Sequence, residues 1–337
     1  MIREDGMLVT LWRQFVMCLN IWLRFSLTFV QPSSYLTVDE QLVEFHGRVK
    51  FRQYIGSKPG KFGMKIFWVC DNDGGYCLNG LVYIGANTVD PETLDESQSV
   101  PEAVVMTLMR PFFGSNCNLT GDNWFSSSAL VDRLYENRVT YVGTVWSNRR
   151  DVPPAARSIE NRVRGDTRLY HDGNNLTLCS YWDKGRNSVL LLDSFTDRCS
   201  LPEEGKKPDT VLFYNSTKSA VDDMDKKVRM YSTKRKCRRW PYSFIMNLID
   251  IAGSHSLRKK PWAQAIWPEQ ATRLFFESCG LSTAGQTSSS PLCHKHFEST
   301  HYSCLESVGI WSRWEEEPRS DNLGAKKAMP HVPQKQW

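Results

Sequence analysis

Residues 214–241, YNSTKSAVDDMDKKVRMYSTKRKCRRWP, set acidic and basic chemistry side by side. Three aspartates, Asp222, Asp223 and Asp225, fall within four positions, and eight Lys or Arg follow between 226 and 239, closed by Trp240. A carboxylate cluster can hold a divalent cation, and a basic run beside an aromatic can hold a phosphate backbone. On a helix over about 217–230, Asp222 and Asp225 share a face at i, i+3 spacing. Both can point at one metal, or one can bind while the other supports it. The competing reading is a row of solvated surface carboxylates. Lys234, Arg235, Lys236, Arg238, Arg239 and Trp240 have the make-up of a DNA-contacting segment and of a nuclear-localisation patch. A solvated helix face is the plainer alternative for such a run.

The chain has 337 residues, enough for about two domains. Its 41% hydrophobic and 23% charged content is ordinary for a globular protein. Net charge is only +5, so any affinity for nucleic acid has to come from local clustering. Ten cysteines at irregular spacing fit a reducing compartment better than a disulfide framework. Sequons at Asn118, Asn175 and Asn215 would be used only in a secreted chain, and Met-Ile-Arg-Glu-Asp is a poor signal-peptide start. The apolar stretch 15–30 carries Asn20 and Arg24 and falls short of the ~20 residues a membrane span needs. It reads as an amphipathic helix, and no membrane partner is expected.

Alternation and turn residues predict strands at 35–39, 64–70, 79–85, 117–121, 139–146, 168–171, 176–182, 188–193 and 210–214. Helices are expected near 101–110, 126–136, 217–230, 241–254 and 262–278. That mixture is α/β. Two aspartates stand at element boundaries: Asp39 on the first strand, and Asp122 in Gly121-Asp-Asn-Trp-Phe-Ser-Ser127, between a strand and a helix. Together with Asp222 they come from separate elements, as two-metal phosphoryl transfer needs. Mg²⁺ suits such a site, since it takes few carboxylates and keeps water and substrate oxygens.

The strings YLTVDEQLVEFHGR (35–48), FRQYIGSKPGKFGMKIFWVCD (51–71), GDNWFSS (121–127), VTYVGTVWSNRRDVP (139–153), FYNSTKSAVDDMD (213–225) and RKCRRWP (235–241) resemble the piggyBac transposase family, including its domesticated derivatives. They occur in the family's order over about residues 12–254. The resemblance implies a ribonuclease-H-like catalytic core with a β-rich insertion and flanking helical segments. It matches Asp39, Asp122 and Asp222 to a catalytic triad, and adds Asp225 as a further metal ligand. It implies Mg²⁺ or Mn²⁺ as cofactor. Transposon ends and a TTAA target are the implied DNA partners, with a homodimer as the working form and the nucleus as its place.

On the same basis the chain divides into a remnant of a helical dimerisation and DNA-binding region (1–34), the catalytic domain (35–230, insertion about 149–209) and a second helical dimerisation and DNA-binding region (231–277). The segment before Asp39 is short for the family, so an N-terminally truncated or domesticated transposase is the expectation. A non-catalytic DNA-binding derivative is the alternative. Several positions depart from the pattern: Ser219-Ala220 stand for a Gly-Gly, Gly121 for a Cys, Gly56 for a Pro and His46 for an Arg. Cys279, Cys293, His296 and Cys304 resemble the end of a zinc-binding tail (279–304) whose earlier Cys pairs are absent. One zinc site and a degenerate, metal-free tail both remain open, and 305–337 is expected to be disordered.

Overall fold

The first strand, β1 (Tyr35–Glu44), organises the molecule. Along it Leu36, Val38 and Leu42 alternate with Thr37, Asp39 and Gln41, so the strand has an apolar face and a polar one. It runs antiparallel to β3 (Phe62–Asp71) and parallel to β5 (Asn118–Gly121). β5 runs parallel to β6 (Thr140–Thr144). Parallel neighbours need crossovers, and two helices supply them: α1 (Val100–Met109) before β5, and α2 (Ser128–Glu136) between β5 and β6. The hydroxyl of Ser127 caps α2 by accepting from the Leu130 amide, as the serine run before it suggests.

The computed structural model describes residues 30–256 apart from 86–87, 90–97, 174, 184–187 and 196–205, together with Leu19 and Leu23. All of them belong to one compact unit, Met1–Ala271. With β2 (Arg52–Tyr54), β4 (Tyr76–Val82), β7 (Thr167–His171), β8 (Thr177–Tyr181) and β9 (Val189–Asp193), the strands form one nine-stranded mixed sheet. Its order is β2-β3-β1-β5-β6-β9-β8-β7, with β4 also on β3. The stretch 149–209 is β-rich, and its three strands continue the same sheet through β9 on β6. It also holds a four-residue helix, α3 (Pro154–Arg157).

One face of the sheet carries the main core, in which Val38, Phe67, Val69 and Leu119 meet Val104 and Leu108 of α1 and Leu130 and Leu134 of α2. A smaller cluster of Val142, Cys179 and Leu191 packs with Val211 and Phe213. Those last two overturn one expectation. Residues 210–214 are not a strand but lie in α4 (Asp209–Thr217). The run Thr-Val-Leu-Phe-Tyr has β-type composition, yet Thr210, Val211, Phe213 and Thr217 are buried while Leu212 is exposed, a helical spacing. Pro208-Asp209 at its start was the overlooked signal.

Then follow α5 (Ala220–Met230) and α6 (Trp240–Ser256). The expected helices at 15–30 and 262–278 lie outside the described residues, save Leu19 and Leu23, both helical and buried, and Val30, buried and outside any helix. Among the described residues no helix is long and apolar enough to cross a membrane. Their cysteines are free thiols, with Cys70 and Cys77 facing each other 3.4 Å apart across β3 and β4.

Candidate active site

Parallel register brings the first two aspartates together. Thr37 of β1 lies beside Thr120 of β5, so Asp122, just past the carboxyl end of β5, emerges beside Asp39, midway along β1. Open α/β sheets present their ligand sites at such ends. Asp122 is held by its own turn: its Oδ1 accepts from the Trp124 amide at 2.9 Å, and its carbonyl accepts from the Ser126 hydroxyl at 2.8 Å. Gly121, just before it, faces Gly143, and a Cβ on either would lie 2.5 Å from the buried Tyr141 hydroxyl. That hydroxyl bonds Ser126 at 2.7 Å, so Tyr141 fills the room a cysteine at 121 would need.

The helices place the third aspartate. The Thr37 hydroxyl donates to the Thr217 carbonyl at 2.5 Å, and the Thr120 and Thr217 hydroxyls are bonded at 2.8 Å. The end of α4 is thereby stitched across β1 and β5, and α5 starts three residues later with Asp222 in its first turn.

Among the described residues, one group of carboxylates could hold a metal ion: Asp39, Glu40 and Asp122, with oxygens all within 4.8 Å of one another. Crowding shows in their acidity. Burial, reinforced by the Glu40 charge, pushes the Asp39 carboxyl up to about 7, and burial also raises Asp122. Such a set is destabilised when fully ionised and relieved by a cation, so these residues fit a divalent ion.

Asp222 lies beyond that group and is largely exposed, its Oδ1 accepting from Lys58 Nζ at 3.1 Å. The same ammonium donates to the Glu40 carbonyl at 3.0 Å, which links Asp222 to the β1 pair. Burial works against the Lys58 charge, but Asp39 and Asp222 outweigh it and hold the ammonium above its usual range.

Asp225 is placed differently. Its carboxylate is buried, takes the Gln41 amide at 2.9 Å and pairs with Arg229 of the next turn. Gln41 also accepts from Trp68 Nε1 at 3.0 Å and from Asn247 at 2.9 Å, and Lys234 donates to Asn247 at 2.8 Å. The i, i+3 spacing thus sends the two aspartates to different tasks, Asp222 toward the site edge and Asp225 into a network joining β1, α5 and α6. Asp223 takes the Ser219 hydroxyl at the surface.

Of the basic candidates, Arg235, Lys236, Arg238 and Arg239 are exposed. Lys234 and Trp240 face inward, which corrects their assignment to a DNA-contacting surface. Lys234 is spent on Asn247, and Trp240 is buried edge-on against Phe51 and Phe244, anchoring α6. Cys279, Cys293, His296 and Cys304 lie outside the described residues.

Three groups at the site were passed over in the sequence. Glu40 follows Asp39, and strict alternation would turn it to the opposite face. Lys58 and Lys65 fall in the Lys/Arg-rich stretch 48–66, which reads in sequence as a second phosphate-contacting surface and not as part of the carboxylate site. Lys65 lies 3.7 Å from the Glu40 carboxylate and over the rings of Phe67 and Trp124, 4.5 and 4.7 Å from their centroids. Burial lowers its pKa.

A mixed sheet with parallel central strands, one carboxylate on the first strand, a second just past the end of its parallel neighbour and a third on a helix close by is a ribonuclease-H-like fold, the class used by DDE-type transposases. A profile of the family described as Transposase IS4 matches residues 18–254. The chain is 24% identical over 239 residues to the human PiggyBac transposable element-derived protein 3, covering 66% of this chain and 40% of that protein. It matches the human Chimeric ERCC6-PGBD3 protein at the same identity, over 22% of that protein. A cryo-EM structure of a piggyBac transposase synaptic complex with hairpin DNA superposes with a TM-score of 0.64 at 32% identity, over 88% of this chain and 57% of that one. The chain belongs to the piggyBac transposase family. It spans less than two thirds of the length of these relatives.

Proposed function

We propose that this chain carries the catalytic core of a cut-and-paste DNA transposase, acting on transposon ends and TTAA targets in the nucleus as a homodimer. Asp39 and Asp122, joined by Asp222, are its catalytic carboxylates, and Glu40 supports them. The observation that carries this reading is the convergence of Asp39 and Glu40, midway along β1, with Asp122 at the end of β5. Mg²⁺ or Mn²⁺ bound there supplies Lewis-acid stabilisation of the attacking and leaving oxygens of an in-line displacement. The chain's own residues do the rest. The threonine stitch holds the α4–α5 corner on the sheet, the Asp122 turn fixes that carboxylate before substrate arrives, and Lys58 and Lys65 balance charge at the edge. Exposed Arg235, Lys236, Arg238 and Arg239 offer phosphate contacts. The segment 231–277 is the proposed DNA-binding and dimerisation region.

One observation favours a second reading, a non-catalytic DNA-binding derivative. Asp222 is engaged by Lys58 and stands outside the three-carboxylate group. Cleavage assays separate the two. Purified protein with Mn²⁺ should nick DNA bearing its element ends, and Asp122→Asn should lower the rate by at least about a hundredfold, as loss of a metal-site carboxylate does. Equal nicking by that variant would remove Asp122 from the chemistry, and DNA binding without nicking by the wild type would establish the second reading.

A further inference from the structure

Lys58 enters from a tight turn-rich loop, residues 55–61, whose backbone is closed by bonds from Ile55 to the Lys61 carbonyl and from Lys61 to the Lys58 carbonyl. Its side chain is only 15% exposed, although it ends beside an Asp222 carboxylate that is 60% exposed. A lysine committed to a surface ion pair would lie in water, where such a pair contributes little. This one is drawn inward instead, donating to the Glu40 carbonyl and to Asp222 at once. Asp39, Glu40 and Asp122 gather beside a short stretch of β1, and the Lys58 ammonium ties the outlying Asp222 to that stretch through the Glu40 carbonyl while feeling the charges of Asp39 and Glu40. Lys65 instead pairs with the Glu40 carboxylate, at 3.7 Å.

We propose that Lys58 is a positioning residue that acts as an internal counter-ion: it holds Asp222 at the site edge before metal loading, and yields that carboxylate to the divalent ion. This rests on the metal-dependent reading above. Two cations sharing one carboxylate repel, so a divalent ion that recruits Asp222 has to displace the ammonium. Lys58 therefore opposes metal binding while keeping the metal-free site assembled. A lysine that only latched the 55–61 loop would have the opposite signature, because losing it would loosen the site and weaken metal binding.

The test is Mn²⁺ titration calorimetry on the full chain, with no DNA present. Lys58→Met and Lys58→Gln remove the charge, and glutamine retains a donor for the Glu40 carbonyl should methionine fail to fold. Both are expected to bind Mn²⁺ at least about fivefold more tightly than wild type, the order of effect for removing one unit charge near a partly buried cation. Lys58→Arg should match wild type. Thermal melts give a second reading. The neutral variants should melt below wild type in chelator, and the gap should close in saturating Mn²⁺, where the ion takes over the charge balance. Mn²⁺ binding that is unchanged or weaker in the neutral variants overturns the proposal and leaves Lys58 as a loop latch. Absence of Mn²⁺ binding by the wild type itself would defeat the parent reading as well, and that failure is distinct because it appears without any substitution.

Discussion

Asp39 carries the sharpest single-residue consequence. Its carboxyl is pushed up to about 7 in the fold against about 3.8 in an unfolded chain. A folded state that binds its proton more tightly is favoured at low pH. The contribution is fully present below the unfolded value and is lost as pH rises through about 7. In chelator the protein should therefore lose stability between about pH 4 and pH 7, with Asp122 adding in the same direction. Asn at position 39 mimics the protonated acid. Asp39→Asn should melt a few degrees higher than wild type at pH 7.5, roughly 2–5 °C, and show a shallower pH slope, while losing DNA cleavage. Differential scanning calorimetry at pH 5 and pH 7.5 reads both effects. An unchanged melting point at pH 7.5 would mean that Asp39 titrates normally. The sequence disclosed Asp39 and Asp122 through their block positions. It hid Glu40, because the two-residue period of a strand sends neighbours to opposite faces, whereas in the fold its carboxylate oxygen comes within 4.8 Å of those of Asp39 and Asp122.

Among the elements, α5 separates two aspartates that sequence spacing had grouped. Asp225 is buried with Gln41 and Arg229, and Asp222 stands in the open beside Lys58. Asp225→Ala should cost about 1–3 kcal/mol of stability by stranding the Gln41 amide. Asp222→Ala should leave stability within about 0.5 kcal/mol, as surface changes usually do, and abolish cleavage. Urea melts set beside nicking rates decide it, and a reversed pattern would exchange the two roles. Strand and helix positions were legible where periodicity was clean, as in the buried β3 and in the hydroxyl-capped α2. α4 was not, since its β-branched and aromatic residues favour a strand locally, against the helix-start signal of Pro208-Asp209 and the fit of Val211 and Phe213 against the sheet. The threonine stitch was equally hidden, because a hydroxyl's partner 97 or 180 residues away leaves no local trace.

For the whole molecule, the basic run has divided. Lys234 and Trp240 belong to the interior, whereas Lys236 and Arg238 face solvent. Replacing Lys236 and Arg238 together by Ala should leave the melting point unchanged and weaken DNA binding. The slope of log affinity against log salt should become shallower by roughly 2. Fluorescence anisotropy across a salt series measures it, and an unaltered slope would take this surface off the DNA. The interior half of the run has its own consequence. Gln41 on β1 and Asn247 on α6 meet although 206 residues part them, and Asp225 and Trp68 share the same amide. Contacts so distant along the chain form late in folding, after the loops between them have closed. During synthesis, β1 can pair with β3 and later with β5, and Gln41 can take Trp68 and then Asp225, but its bond with Asn247 waits until that residue clears the ribosome. The strand that bears Asp39 thus gains its last partner from the last described helix, so its buried polar network is completed only after translation of that helix is over.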